Sequence, residues 1–256
     1  MTNVIHQEFQ FMGLKGADLE VRRSKIAIES EVTLTVNGET WLGFHCSPDS
    51  LDDLAVGFLY NESFIDSEDE ISSIKVCKSL DGVDIWLSHA CEKPATWNRT
   101  SGCHGGVSRK TGTGLQTKKH TKTYPISNIQ EQIKIFLTSL GQMGDLRNGV
   151  HSTMLLDGFK VISTSNDIGR HNTLDKIAGD CLRRKKKLTK PILITTGRIS
   201  SDMVLKADRM GVGLVISLHS MSSLAIETGD TLGMCLIGHA RSPKWGVYTH
   251  PERTSE

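Results

Sequence analysis

A cysteine set among glycines, and three turns that put arginine or histidine beside glycine, are where this 256-residue chain could do chemistry. Cys103 stands in Ser101-Gly102-Cys103-His104-Gly105-Gly106. The glycines free the backbone to approach a partner closely. His104 beside the thiol, with Arg99, Arg109 and Lys110 near in sequence, favours the thiolate, which is the nucleophilic form. The competing reading is an exposed loop cysteine without a role. Cys46, Cys77, Cys91, Cys181 and Cys235 fall in or beside strand and helix patterns and read as small core residues. No two cysteines stand two to four residues apart, which argues against a zinc site and leaves free thiols as the expectation.

The three turns suit an anion. Asp167-Ile168-Gly169-Arg170-His171-Asn172 lies between a strand pattern and a helix pattern. A helix N-terminus offers unpaired N–H groups, and Arg170 adds a fork of donors for phosphate or carboxylate. His171 and Asp167 are candidates for acid–base or orienting work. Thr195-Thr196-Gly197-Arg198-Ile199-Ser200-Ser201 repeats the design after a strand, the place where open α/β sheets gather ligands. It lacks the G-x-x-x-x-G-K-[ST] phosphate loop and the dinucleotide fingerprint. Gly238-His239-Ala240-Arg241-Ser242-Pro243-Lys244-Trp245 follows a later strand; Arg241 and Lys244 suit phosphates and Trp245 offers a stacking face. Each turn also reads as a capped or solvated loop with no ligand.

Composition narrows the classes. Hydrophobic residues make up 38%, charged residues 23%, and the net charge is +1, so no polyanion partner such as nucleic acid is indicated. Arg183-Arg184-Lys185-Lys186-Lys187 reads as a solvated helix end rather than a nucleic-acid patch. No run approaches the roughly 18–20 apolar residues of a membrane span, and Met1–His6 lacks a secretory layout, so a cytoplasmic address is expected.

The elements that must position these residues follow from periodicity. The first twenty or so residues read as peripheral or poorly ordered. Val32, Leu34 and Val36 alternate before Asn37-Gly38, and Trp41, Leu42 and Phe44 follow, which predicts a hairpin. Ser50 opens a helix as N-cap with Asp53 reaching back, and Leu51, Leu54, Ala55, Phe58 and Leu59 share a face. A second hairpin turns at Asp81-Gly82. From Asn98 to Tyr124 glycine and lysine dominate, which predicts a mobile loop. Ser127 caps a helix through Leu140, and a third hairpin turns at Asp157-Gly158. Helices alternating with the strands Pro191–Thr196, Val212–Ser217 and Met234–Gly238 then predict a parallel sheet with covering helices.

Taken together, these pieces resemble the formate dehydrogenase accessory sulfurtransferase family, FdhD. The matching stretches are Leu54-Ala55-Val56-Gly57-Phe58-Leu59, the run Asp167–Lys176, Gly197-Arg198-Ile199-Ser200-Ser201 and Val247–Arg253, in family order from about Glu31 onward. The resemblance implies an α/β fold, α+β overall. A small mixed N-terminal domain (1–97) is followed by a Gly/Lys-rich loop (98–124) carrying Cys103. A C-terminal three-layer α/β domain (125–256) resembles the cytidine deaminase scaffold. The H-x-E and P-C-x-x-C zinc signature is missing, so neither deamination nor a protein-bound metal is implied.

The implied activity is sulfur transfer. A cysteine desulfurase loads a persulfide, which passes through Cys103 to the molybdenum cofactor that carries two pterin guanine dinucleotides, for use by formate dehydrogenase. The implied cofactor-binding residues are His239, Ala240, Arg241, Ser242, Pro243 and Lys244, with Arg170, Gly197 and Arg198, and a guanine nucleotide is the simpler analogue. A homodimer is implied, and neither nucleic acid nor membrane. One departure stands out: the family's loop commonly reads C-G-x-C-G, and here Gly106 occupies the second cysteine position. That substitution keeps a second reading open, a chaperone that holds the pterin cofactor without turning over sulfur.

Overall fold

The computed structural model describes residues 6–95, 98–99, 107–108, 120–242 and 244–255. The N-terminal stretch, expected to be peripheral or poorly ordered, is an antiparallel ribbon of β1 (His6–Lys15) and β2 (Asp18–Ala27), turning at Gly16 with φ 65°. Its period-2 pattern is hard to read from the sequence because apolar residues fall on both faces.

The next two hairpins form where expected. β3 (Ser30–Val36) and β4 (Glu39–Cys46) turn through Asn37 and Gly38, both at positive φ, as a two-residue hairpin loop requires. Helix α1 (Leu51–Asn61) follows, then β5 (Ile71–Val76) and β6 (Gly82–Leu87). The strands make one sheet in the order β4-β3-β6-β5. Val32, Leu34 and Val36 face Leu54, Phe58 and Leu59 of α1 in a single apolar core. The expected cap differs: Ser50 lies in the left-handed region with no side-chain cap bond, and Asp53 turns to Arg183.

The stretch predicted as a mobile loop falls largely outside the described residues, and Cys103 with it. Within it β7 (Asn98–Arg99) pairs antiparallel with β8 (Val107–Ser108). At its far end β9 (Tyr124–Pro125) pairs in parallel with β16 (Thr254–Ser255) near the C-terminus. Helix α2 (Ile126–Gln142) starts one residue before the expected cap, directly after Pro125.

The remaining elements are β10 (His151–Asp157), β11 (Lys160–Asp167), α3 (Arg170–Arg183), β12 (Pro191–Thr195), α4 (Ser201–Arg209), β13 (Leu214–Ser217), α5 (Ser223–Leu232), β14 (Cys235–Gly238) and β15 (Gly246–Thr249). The sheet order is β11-β10-β12-β13-β14-β15. Only β12, β13 and β14 run parallel; the flanking strands are antiparallel, so the sheet is mixed rather than purely parallel. Alternation along β12 explains the three layers: Ile192 and Ile194 face α2, while Leu193 faces α3 and α4.

Helices α1 and α3 cross in backbone contact. A Cβ on Gly57 would fall 1.7 Å from the Asp175 carbonyl oxygen, and one on Gly179 would fall 2.0 Å from that of Asp53. The basic run after α3 closes the same seam: Arg183 pairs with Asp52 and Asp53 at 2.6 and 2.5 Å, and Lys185 with Glu68 and Asp69. Arg183 and Lys185 thus tie the helix end to the N-terminal sheet's connections, and Arg184 and Lys186 pair with Asp180 of α3 itself. Arg184, Lys185 and Lys187 stay exposed, as expected of a solvated helix end.

Candidate functional site

The parallel strands end together, and β10, running antiparallel to β12, begins at that same end with Thr153 opposite Thr195. Hydroxyls fasten the first turn of α3 there. Thr153 Oγ1 lies 2.6 Å from Thr173 Oγ1 and 2.9 Å from Thr195 Oγ1; Thr173 Oγ1 donates to the Arg170 carbonyl at 2.7 Å; and the Gly197 N–H donates to Thr195 Oγ1 at 3.0 Å. Any side chain at 197 would meet Arg170, whose Cβ lies 2.9 Å from where a Cβ would stand. Glycine is required because the arginine stem lies across this turn.

The other turns are tied on in sequence. Ser217 Oγ donates to the Gly197 carbonyl at 2.7 Å and accepts from the His219 N–H at 2.9 Å. The His239 N–H donates to the His219 carbonyl at 2.8 Å, and the Ala240 N–H to that of Ser217 at 3.0 Å. His239 itself sits at φ 58°, so the chain turns sharply as it leaves β14. A Cβ on Gly238 would lie 2.8 Å from a Tyr248 ring carbon, which lets that ring stand beside the His239 ring at 6.4 Å between centroids.

The site is basic yet holds two neutral imidazoles. His171 is buried with Nε2 3.1 Å from Ser200 Oγ, and burial first, then the charges of Lys206, Arg170 and His151, push it down to about 3. His151 is held below the usual histidine range by burial and then by Arg170, His219 and Arg198, so these four groups share one neighbourhood. Asp167 faces inward: its carboxylate accepts from the Gly169 and Ser47 N–H groups and from Asn172, and pairs with Lys176 at 2.7 Å. It shapes the turn, the orienting half of what the sequence suggested.

The structure thus brings Arg170, Gly197, Arg198, His239 and Ala240 to one end of one sheet. Arg170, Gly197 and Ala240 are buried, whereas Arg198, His239, Arg241, Ser242 and Lys244 are exposed. Pro243 and Cys103 lie outside the described residues. Trp245, offered as a stacking face, packs half-buried against the core under α2. Tyr248, 40% exposed beside His239, is the aromatic ring at this end. His151, His219, the threonine set and Tyr248 escaped the sequence reading. For His219 a signal existed, since it follows the second parallel strand as Arg198 follows the first.

The thiols separate clearly. Burial pushes Cys46 up to about 12, with Asp167 adding to it, and pushes Cys181 and Cys235 up to about 11. Cys77 and Cys91 are half-buried. Among the described residues no group of three His, Cys, Asp or Glu side chains is placed to hold a metal ion, and no helix is long and apolar enough to cross a membrane.

The model of the FdhD/NarQ family matches residues 27–255. The sulfur carrier protein FdhD of Bacillus pumilus strain SAFR-032 is 34% identical over 260 aligned residues, taking in 99% of this chain and 97% of the relative. The sulfur carrier protein FdhD of Bacillus subtilis strain 168 is 31% identical over 242 residues, 91% of each chain. A crystal structure assigned as a formate dehydrogenase accessory protein from Desulfotalea psychrophila superposes with a TM-score of 0.78, covering 98% of this chain and 100% of that one. At 22% identity that likeness is one of fold.

Proposed function

Because the chain belongs to the FdhD/NarQ family, we propose that it is a sulfur carrier in which Cys103 takes persulfide sulfur from a cysteine desulfurase. The sulfur then passes to a molybdenum cofactor bearing two pterin guanine dinucleotides, the substrate that serves formate dehydrogenase. The observation that carries this reading is the joining of the Arg170, Arg198 and His239–Lys244 turns at one strand end. Phosphates of a pterin guanine dinucleotide match that chemistry: helix N–H groups from α3, guanidinium forks from Arg170, Arg198 and Arg241, and the Lys244 ammonium. Tyr248 and His239 supply ring faces for a guanine. Guanosine diphosphate is the simplest probe of the same contacts. Two such nucleotides in one cofactor suit a two-fold assembly, so the working unit is a homodimer.

The relay is nucleophilic. The Cys103 thiolate attacks the terminal sulfur of the desulfurase persulfide; the old S–S bond breaks and the desulfurase cysteine leaves as thiolate, so Cys103 holds the persulfide. The buried thiols support the assignment, because Cys46, Cys181 and Cys235 stay protonated at neutral pH and a protonated thiol is a poor nucleophile. With Gly106 in the second loop position, no thiol in the motif stands ready to close a disulfide and release the sulfur as sulfide.

Mass spectrometry after incubation with a desulfurase and cysteine tests the reading. The parent gains one sulfur on Cys103; Cys103→Ala gains none and fails to mature formate dehydrogenase in cells, while Cys91→Ala behaves as the parent. Full maturation by Cys103→Ala would replace the carrier with the cofactor-holding chaperone, the reading that Gly106 keeps open.

A further inference from the structure

All of the β1–β2 ribbon but its last residue, Ala27, precedes the residues the family model matches, and the ribbon lies outside every hydrophobic core. The two strands pair through all ten positions, from His6↔Ala27 to Lys15↔Asp18, and form a sheet of their own. Directly opposed residues share a face. Met12 with Val21 and Leu14 with Leu19 therefore make one apolar face, while Phe9, Phe11 and Ile26 lie on the other. All seven are 45–69% exposed, and they make up seven of the thirteen exposed large hydrophobic side chains among the described residues. A lone two-stranded hairpin is marginal in water, so a ribbon this apolar needs cover.

We propose that the ribbon is a dimerisation arm, covered on both faces by a second copy of this chain. The proposal rests on the homodimer reading and says where that dimer is made. Area selects the occupant. Seven half-exposed side chains at roughly 100 Å² each come to about 700 Å², above the ~300–600 Å² patch of an ordinary monomer and near the ~800 Å² each partner gives a stable interface.

Charge agrees with the area. The ribbon carries Glu8, Asp18 and Glu20 against Lys15, Arg22, Arg23 and Lys25, and Glu20 already pairs with Lys15 and Arg22 at 3.3 and 2.8 Å. A surface so nearly balanced meets its own copy without like-charge repulsion and offers little to a polyanion. Neither strand contains proline, so both long edges can pair, and a two-fold axis lets one edge meet itself. At its base the arm is seated on the body: β2 lies against the turn Gly144–Arg147, and a Cβ on Gly149 would stand 3.4 Å from that of Ala27.

Sedimentation velocity of the full chain from about 1 to 50 µM tests this. The parent is expected at twice the chain mass. Leu14→Lys with Leu19→Lys, and separately Phe9→Glu with Phe11→Glu, should each raise the dimer dissociation constant about 100-fold or more. Phe159→Glu, at a residue 52% exposed outside the arm, should change nothing. The substituted side chains are exposed, so far-UV circular dichroism and guanosine diphosphate binding per chain provide a check that each variant is folded. A monomeric parent would overturn the arm and the homodimer together. A dimer that both arm variants keep would overturn the arm alone, and so would loss of the dimer in Phe159→Glu.

Discussion

Helix α3 passes through two charged regions that look alike in sequence and do opposite things. Its middle, from Asp175 to Asp180, lies at the seam with α1, and there every charge is answered. Lys206 pairs with Asp175 at 2.7 Å and with Glu62 at 3.5 Å, tying α4 and α3 to the end of α1. Lys176 lies 2.7 Å from both Asp167 and Asp49. At the first turn of α3 the cations are Arg170 and Arg198, which stand at the strand ends beside the neutral imidazoles of His151 and His171. Buried charges are tolerated where they cancel in place, as at the seam, whereas the Arg198 guanidinium at the strand ends is exposed.

The largest effect should come from breaking the answered region. Lys206→Met keeps most of the side-chain volume and leaves Asp175, itself buried, without its cation. Loss of one partner of such a pair costs about 3–5 kcal/mol. Equilibrium urea unfolding should report it as a lower midpoint with an unchanged slope. A loss under about 1 kcal/mol would mean that the seam is wetter than its burial indicates.

How far these regions were legible differs for the same reason. The cationic turns could be found in the sequence because glycine beside arginine after a strand is a local pattern, and Arg170, Gly197 and Arg198 meet as expected. The answered region could not, since Lys206 finds Glu62 across more than 140 positions and nothing near either residue announces the other. Gly57 falls between: the resemblance marked its stretch, but only the crossing with Asp175 explains why a side chain is forbidden there. The three hairpins and the order of helices and strands followed from periodicity. The N-terminal ribbon did not, because alternation signals a strand only when one face is dry.

A smaller effect is expected from the cationic region, and it should appear in binding rather than stability. Arg198 is exposed, so Arg198→Ala should leave the unfolding midpoint within about 0.5 kcal/mol of the parent. A charge-assisted hydrogen bond to phosphate is worth about 1.5–3 kcal/mol, roughly 10- to 100-fold in affinity. Calorimetry with guanosine diphosphate should show that loss, with weaker salt dependence of the binding that remains. Arg241→Ala should follow the same pattern. Unchanged affinity in both would move the anion away from these turns.

The smallest effect separates the two regions by pH. His171 is neutral in the folded protein down to about 3, whereas in the unfolded chain it takes a proton near its ordinary value of about 6.5. Below 6.5 the unfolded state therefore binds more protons, and the stability from keeping this imidazole neutral is present above 6.5 and lost progressively as pH falls toward 3. The limiting slope is about 1.4 kcal/mol per pH unit for one group. Carboxylates at the seam titrate over part of the same range, so the useful quantity is a difference between variants. His171→Gln keeps a polar group near Ser200 Oγ and cannot be protonated. Between pH 6.5 and 5 the parent should lose roughly 1 to 2 kcal/mol more than this variant, even if the variant starts lower at pH 7.5. Lys206→Met keeps His171 but strands the buried Asp175 carboxyl, whose proton uptake in the folded state as pH falls should flatten that variant's slope, so His171→Gln is the variant that isolates the imidazole. If His171→Gln matched the parent's slope, the imidazole would be reaching solvent and taking its proton in the folded state, and the cationic region would be more open than its burial implies.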